Sequence, residues 1–341
     1  MENIVINKEE RCVWLDALKG FGIILIMLNH TGIMPRWAFL LTAGYVSLFF
    51  VAAGYTFNPK SSFSEEIKKK IKRLITPYFF WGIIGVFITC LIVALEGEQI
   101  DFFGKILGLC YSRYSTSFRI ESGLADVPML KAARISPMWF LTSLFTSFTA
   151  VIPLLKVKSS KIRYWLILLY IIISIAMTHL PILLPWSIDT ALVGALLIYW
   201  GTKRVHLSSY VKSFVLLTIL YCGLLVFEKT NNFSVRQYGW HNALSVVPYI
   251  IVGIIEVDLM ISFLKRFERT MLVVFLSKVG KCSLVLMCIH APIYTVLRAS
   301  GLQSDTWMGG VFTLIALIAG YLIYIIGSKL IHSKYRYIIG L

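Results

Sequence analysis

Acidic residues are scarce in this chain. Asp and Glu number 17 against 33 Lys and Arg, and charged residues of both signs make up only 15% of the sequence. So little charge, beside 58% hydrophobic residues and a mean hydropathy of +0.78, rules out the composition of a soluble globular domain. Cysteine is sparse as well. Cys12, Cys90, Cys110, Cys222, Cys282 and Cys288 form no CxxC pair and several lie within apolar runs, so neither a disulfide framework nor a zinc site is indicated, and no metal is expected. There is no GxGxxG, P-loop, HExxH or GxSxG, which leaves nucleotide hydrolysis, metalloprotease and lipase-type chemistry without a motif. Segments of alternating apolar and polar residues are also missing, which argues against a β-barrel.

What the chain has in abundance is long apolar runs. They predict an all-α, polytopic integral membrane bundle of about ten transmembrane helices, forming one domain over 1–341 with both termini in the cytoplasm. Spans are expected near 14–34, 37–57, 75–95, 137–155, 163–180, 184–201, 211–228, 241–262, 273–298 and 307–331. The first is expected to be retained, since no small-residue cleavage site follows it. The formal charge of +16 would point a soluble protein toward nucleic acid. On this plan, however, most Lys and Arg fall on one side, the positive-inside pattern, so membrane lipid and not nucleic acid is the expected partner. The clearest inner segment holds Lys60, Lys68, Lys69, Lys70, Lys72 and Arg73 against Glu65 and Glu66, and its latter half, 63–74, reads as an amphipathic helix lying on the membrane surface. The longest loop, 96–136, balances acids and bases and is the candidate lid or docking surface outside the membrane.

Three ionisable side chains sit in the first apolar run. At 100° per residue, Asp16, Lys19 and His30 fall within about 60° of one another on one helix face, with Lys19 and His30 roughly 16 Å apart along the axis. Charge at that depth is costly, so the stripe should face protein or water. An imidazole there can serve as a general base toward a hydroxyl or as polar glue between helices. Asp16 and Lys19 can join that chemistry or form an i,i+3 pair at the inner boundary. Asp189 and His290 are candidates for binding acceptor hydroxyls, with a helix cap and a structural histidine as the alternatives. Trp139 suits an interfacial belt or stacking on a sugar. Glu256 and Asp258 are expected to pair with Lys265 or another inner cation. The cluster from Lys68 to Arg73 can hold phosphates of a cytosolic donor, although anionic lipid and topology explain it equally well.

Several motifs run in a recognisable order. Asp16, Lys19 and His30 lie in the first span; Phe49-Phe-Val-Ala-Ala-Gly-Tyr55, Arg73-Leu-Ile-Thr-Pro-Tyr78, Trp139-Phe-Leu141 and the segment Ser283 to Ile293 follow. Together they resemble the membrane-bound acyltransferase-3 family, in particular its fucose 4-O-acetylase-like branch of sugar O-acetyltransferases. Ala53 stands where that family usually carries Ser, and Met287 near a usual aromatic. The resemblance implies transfer of an acetyl or other acyl group from acetyl-CoA, as co-substrate, to a hydroxyl of a cell-surface carbohydrate or its lipid-linked precursor. It implies His30 as the catalytic histidine, Lys19 as a donor-side residue, and Lys70 and Arg73 as partners of the CoA phosphates. The expected location is the cell inner or plasma membrane. The competing reading is a proton-coupled glycan transporter or flippase, which Glu256, His30 and His290 would equally suit.

Overall fold

The computed structural model describes residues 12–34, 42–58, 61–113, 117–118, 127–128, 138–180, 183–204, 231–232, 237–238, 245–304 and 307–341. These residues are built almost entirely of helices. They are α1 (Val13–Thr31), α2 (Thr42–Tyr55), α3 (Phe63–Lys70), α4 (Thr76–Leu95), α5 (Phe102–Tyr111), α6 (Trp139–Lys156), α7 (Ser160–Met177), α8 (Ala191–Lys203), α9 (Val246–Arg266), α10 (Met271–Lys281), α11 (Ser283–Ala299) and α12 (Met308–Leu330). Two antiparallel pairs of two-residue strands, Ser117–Phe118 with Val127–Pro128 and Asn231–Asn232 with Gln237–Tyr238, lie outside the bundle's helices. A helix satisfies its backbone internally, which is what apolar runs of this length need in lipid.

Six helical stretches among the described residues are long and apolar enough to cross a membrane, or seven if α10 and α11 are taken together. The protein is therefore an all-helical, multi-pass membrane protein. Residues 211–228, expected as a span, lie outside the described residues. Large apolar side chains face outward on α4, α7 and α12, among them Phe87, Leu91, Ile172, Leu314 and Ile318, as lipid contact requires.

Two expected elements take a different form. The segment read as a separate surface helix over 63–74 is continuous with the apolar helix that follows it. Ser62 and Glu65 start it with a reciprocal capping box, in which the Glu65 N–H donates to Ser62 Oγ at 3.3 Å and the Ser62 N–H to Glu65 Oε2 at 3.0 Å. At Ile71–Ile75 the ladder widens into a π turn that closes with the Thr76 N–H on the Ile71 carbonyl. Pro77 explains the widening: it has no N–H to give the preceding turn, so the pattern shifts by one residue before α4 resumes. The run expected as one span near 273–298 is instead α10 and α11, bent by 74° at Cys282.

Helix α1 lies at the centre, packed against α2, α9, α10, α11 and α12. Its contact with α10 is made backbone to backbone. A Cβ on Gly20 would sit 2.0 Å from the Leu276 carbonyl oxygen, and one on Gly280 would sit 1.7 Å from the Asp16 carbonyl oxygen. A similar approach joins α2 to α8, where a Cβ on Gly54 would meet the Ile198 carbonyl oxygen at 2.1 Å and one on Gly201 the Val51 carbonyl oxygen at 2.1 Å. Small residues at helix crossings are what holds helices together in lipid, where apolar burial between helices gains little.

The glycine contact has a measurable consequence. Gly280→Ala should lower the unfolding stability of the detergent-solubilised protein by about 3 kcal/mol, the upper end for an overpacked site, because its neighbour is backbone. Gly310→Ala, on α12 with nothing within 4 Å, is the control and should leave stability unchanged or raise it by about 0.5–1 kcal/mol. Equal melting temperatures for the two variants would disprove the contact.

Candidate active site

The register between α1 and α10 runs from Gly20 at Leu276 back to Asp16 at Gly280. An unbent continuation of α10 would carry the chain away from His30. The bend at Cys282 redirects it, and α11 meets α1 at the opposite end. There His30 Nδ1 lies 3.0 Å from His290 Nε2, a hydrogen-bond distance. The rings are 5.2 Å apart between centroids and 12° from parallel, so they meet edge to edge, each ring plane nearly continuing the other. His290 is completely buried, and its Nδ1 lies 2.6 Å from the Leu286 carbonyl oxygen one turn earlier. His30 is half-buried, in the last turn of α1.

Two further residues of α11 complete this end. His290, Tyr294 and Arg298 follow one another at intervals of four, which places them along one helix face. Tyr294 packs its ring against His290 with centroids 5.6 Å apart, and its hydroxyl lies 3.2 Å from Thr313 Oγ1 and 3.4 Å from the Met27 carbonyl oxygen. Arg298 donates from Nη2 to the His30 carbonyl at 2.8 Å and to Ser304 Oγ at 2.8 Å. The interval of four was readable in the sequence, but Arg298 carries no signal of its partner there. On another face of α11, Ile289, Pro292, Ile293 and Leu297 join Trp81 and Ile323 around a separate cavity of about 290 Å³ with apolar side chains for walls. Its walls suit hydrocarbon, whereas the face that carries His290, Tyr294 and Arg298 is polar.

At the N-terminal end of α1, Asp16 is buried and Lys19 Nζ lies 3.5 Å from its Oδ1. The half-buried Lys70 holds its ammonium 4.2 Å from the centre of the Phe148 ring of α6, within electrostatic reach of Lys19, Lys69, Arg73 and Glu66. Lys69 pairs with Glu66 at 3.3 Å, while Arg73 is exposed in the π turn. Positive charges brought together in this way repel one another and fit an anion with several negative groups. Asp16 is some 21 Å from His30 along the helix, so the stripe has two separate ends.

The remaining candidates sit elsewhere. Trp139 opens α6 and is buried. Asp189 Oδ2 accepts from Arg113 Nη2 at 2.9 Å, with both side chains wholly buried, and Arg113 Nη1 donates to Ser187 Oγ at 2.7 Å. That pair ties the end of α5 to the 3₁₀ segment Pro185–Thr190 before α8, where Trp186 and Ser187 hold φ of 54° and 56°. Such strained backbone persists only where its surroundings over-determine it. Asp258 lies within electrostatic reach of Lys265. Glu256 departs from expectation: it is buried against Gly44 of α2, whose backbone N–H faces its carboxylate. Positions 256 and 258 are 200° apart around α9, so only Asp258 shares a helix face with Lys265.

The comparisons with known proteins bear on this arrangement. A family model described as an acyltransferase domain, that of the acyltransferase-3 family, matches residues 13–329. No curated protein and no solved structure matches the chain. The matched stretch takes in both ends of α1, the π turn and α11 with its buried histidine, and it does not favour a glycan carrier. The chain belongs to the acyltransferase-3 family of membrane acyltransferases.

Proposed function

We propose that this protein transfers an acetyl group from acetyl-CoA to a hydroxyl of a carbohydrate, free or lipid-linked, in the cell membrane, with His30 as the general base. The observation that carries this reading is the separation of α1 into a cationic end and an imidazole end about 16 Å apart. The cationic end, Lys19 with Lys70 and Arg73, suits the phosphates of CoA on the cytoplasmic side. The imidazole end suits a hydroxyl, and an extended pantetheine arm bridges the two. Asp16 acts through Lys19, holding its ammonium in place. Trp139 and the Asp189 segment belong to the acceptor side as supports for the loops that receive the sugar. The sequence resemblance to the fucose 4-O-acetylase-like branch favours an acetyl donor and a sugar acceptor.

The chemistry asked of the protein is modest. A thioester is already activated, so the site has to bring a hydroxyl to the acyl carbon, remove its proton and accommodate the developing oxyanion. As the hydroxyl oxygen forms its bond to the acyl carbon, its proton moves to His30. The carbon–sulfur bond then breaks, and the proton passes from His30 to the sulfur of departing CoA. Nothing is oxidised or reduced, and the histidine ends as it began.

Two measurements test this reading, both on the full chain reconstituted in nanodiscs with labelled acetyl-CoA, a set of methyl glycosides and lipid-linked oligosaccharide. His30→Ala should reduce transfer by roughly 10²–10⁴-fold, the contribution of a positioned base, with the KM for acetyl-CoA little changed. Transfer at the parent rate would remove His30 from the reaction. Lys70→Ala and Arg73→Ala should each raise the KM for acetyl-CoA by about tenfold or more, as loss of a charge-assisted contact predicts, with kcat held and the effect fading in high salt. An unchanged KM in both would take the phosphates away from this cluster.

A further inference from the structure

We infer that His290 is a positioning residue for the reaction: its ring fixes the tautomer of His30 so that the proton of the acceptor hydroxyl is taken by Nε2 of His30. The inference rests on His30 as the base. It goes further by assigning the atom that acts and the residue that selects it.

The assignment follows from what each atom can do. The Leu286 carbonyl oxygen only accepts, so His290 Nδ1, 2.6 Å away, carries the hydrogen and donates it. In a neutral ring with hydrogen on Nδ1, Nε2 has only a lone pair. The contact of 3.0 Å between His290 Nε2 and His30 Nδ1 therefore takes its hydrogen from His30. A neutral His30 with hydrogen on Nδ1 has its own lone pair on Nε2. The backbone of α11 thus sets the tautomer of one imidazole, and that imidazole sets the next.

Packing keeps the relay in register. His290 is fully buried with the Tyr294 ring against it, and the 12° angle between the two imidazoles holds the Nδ1–H of His30 near the plane of the His290 lone pair. When His30 takes a proton at Nε2, its Nδ1–H is already held by His290, and that bond strengthens as charge develops without either ring moving. A carboxylate does this service in a Ser-His-Asp triad. A neutral imidazole does it here without keeping a permanent charge among apolar helices.

The test separates an acceptor at one place from polarity in general. In His290→Gln the amide oxygen reaches the place of the native Nε2; in His290→Asn it falls short, although the two amides are chemically alike. With the transfer assay above, His290→Gln should keep kcat within about tenfold of the parent, whereas His290→Asn and His290→Leu should lose about a hundredfold or more, with the KM for acetyl-CoA unchanged in all three. Protein labelled with [15N]histidine gives a readout that does not depend on turnover. His30 should show hydrogen on Nδ1 in the parent and in His290→Gln, and should move toward the Nε2–H form in His290→Leu. Hydrogen on Nε2 of His30 in the parent, equal activity of the Gln and Asn variants, or a Gln variant as inactive as the Leu variant would overturn the inference. If His30→Ala is inactive while the variants at 290 fail this pattern, only the role of His290 falls. If His30→Ala is fully active, the base assignment falls first.

Discussion

Two missing side chains hold the arrangement together. Gly20 and Gly280 let the backbones of α1 and α10 touch, and no other residue could occupy either place without parting the helices. In lipid this matters more than in water, because burying apolar surface between two helices gains little when the surroundings are equally apolar. Close contact supplies dispersion and dipole interactions in its place. With α10 set against the N-terminal half of α1, the bend at Cys282 leaves α11 to cover the C-terminal half, and His290 meets His30.

The division of α1 into two ends suits the proposed transfer from a large, highly charged donor. Phosphates need cations and water; a hydroxyl being deprotonated needs a fixed base and a dry surrounding. Building both at one point would put the cations beside the base, where they would oppose its protonation. Spacing them along one rigid helix keeps Lys19, Lys70 and Arg73 away from the imidazole and leaves Arg298, bound to the His30 carbonyl, as a cation beside it; a helix holds such an axial distance better than a loop does. The π turn adds to the cationic end. Lys70, just before it, holds its ammonium over Phe148, and Arg73, within it, is exposed.

How far the sequence discloses this depends on whether a feature lies within one helix or between two. The polar stripe of Asp16, Lys19 and His30 is legible because helical period alone determines it, and the apolar runs announce a helical membrane protein by composition. The capping box at Ser62 and Glu65 is local as well, although the helix expected from residue 63 did not draw on its Ser-x-x-Glu pattern. The meeting of His30 with His290 was not legible, because 260 residues separate them and no local pattern encodes a contact between helices. The bend at Cys282 carries no proline or glycine at Lys281-Cys282-Ser283 to mark it. The ion pair of Arg113 with Asp189 was hidden for a similar reason: Arg113 reads as one more charge in a balanced loop until the fold buries it. Glu256 and Asp258 were expected to act alike from their proximity in sequence, yet a step of two around a helix turns side chains to opposite faces.

An imidazole proposed as a base at the last turn of a helix is in a poor place unless something holds that turn, since helix ends lose their hydrogen bonds and fray. Here the end of α1 is fastened several times over. Gly32 takes a left-handed φ of 85° and returns its N–H to the Asn29 carbonyl, Thr31 Oγ1 donates to the Leu28 carbonyl at 2.7 Å, and Arg298 reaches across from α11 to the carbonyl of His30 itself. Gly309 at the start of α12 closes the side, because a Cβ there would sit 2.7 Å from Thr31 Oγ1. The Arg298 contact does two things at once. It satisfies a carbonyl that the helix leaves without an internal partner, and it ties the backbone of His30 to the same helix that supplies His290. The imidazole is thereby fixed to α11 through both its main chain and its ring, so α1 and α11 can move only together at this point, and the direction in which Nε2 faces is a property of the helix pair and not of a free rotamer.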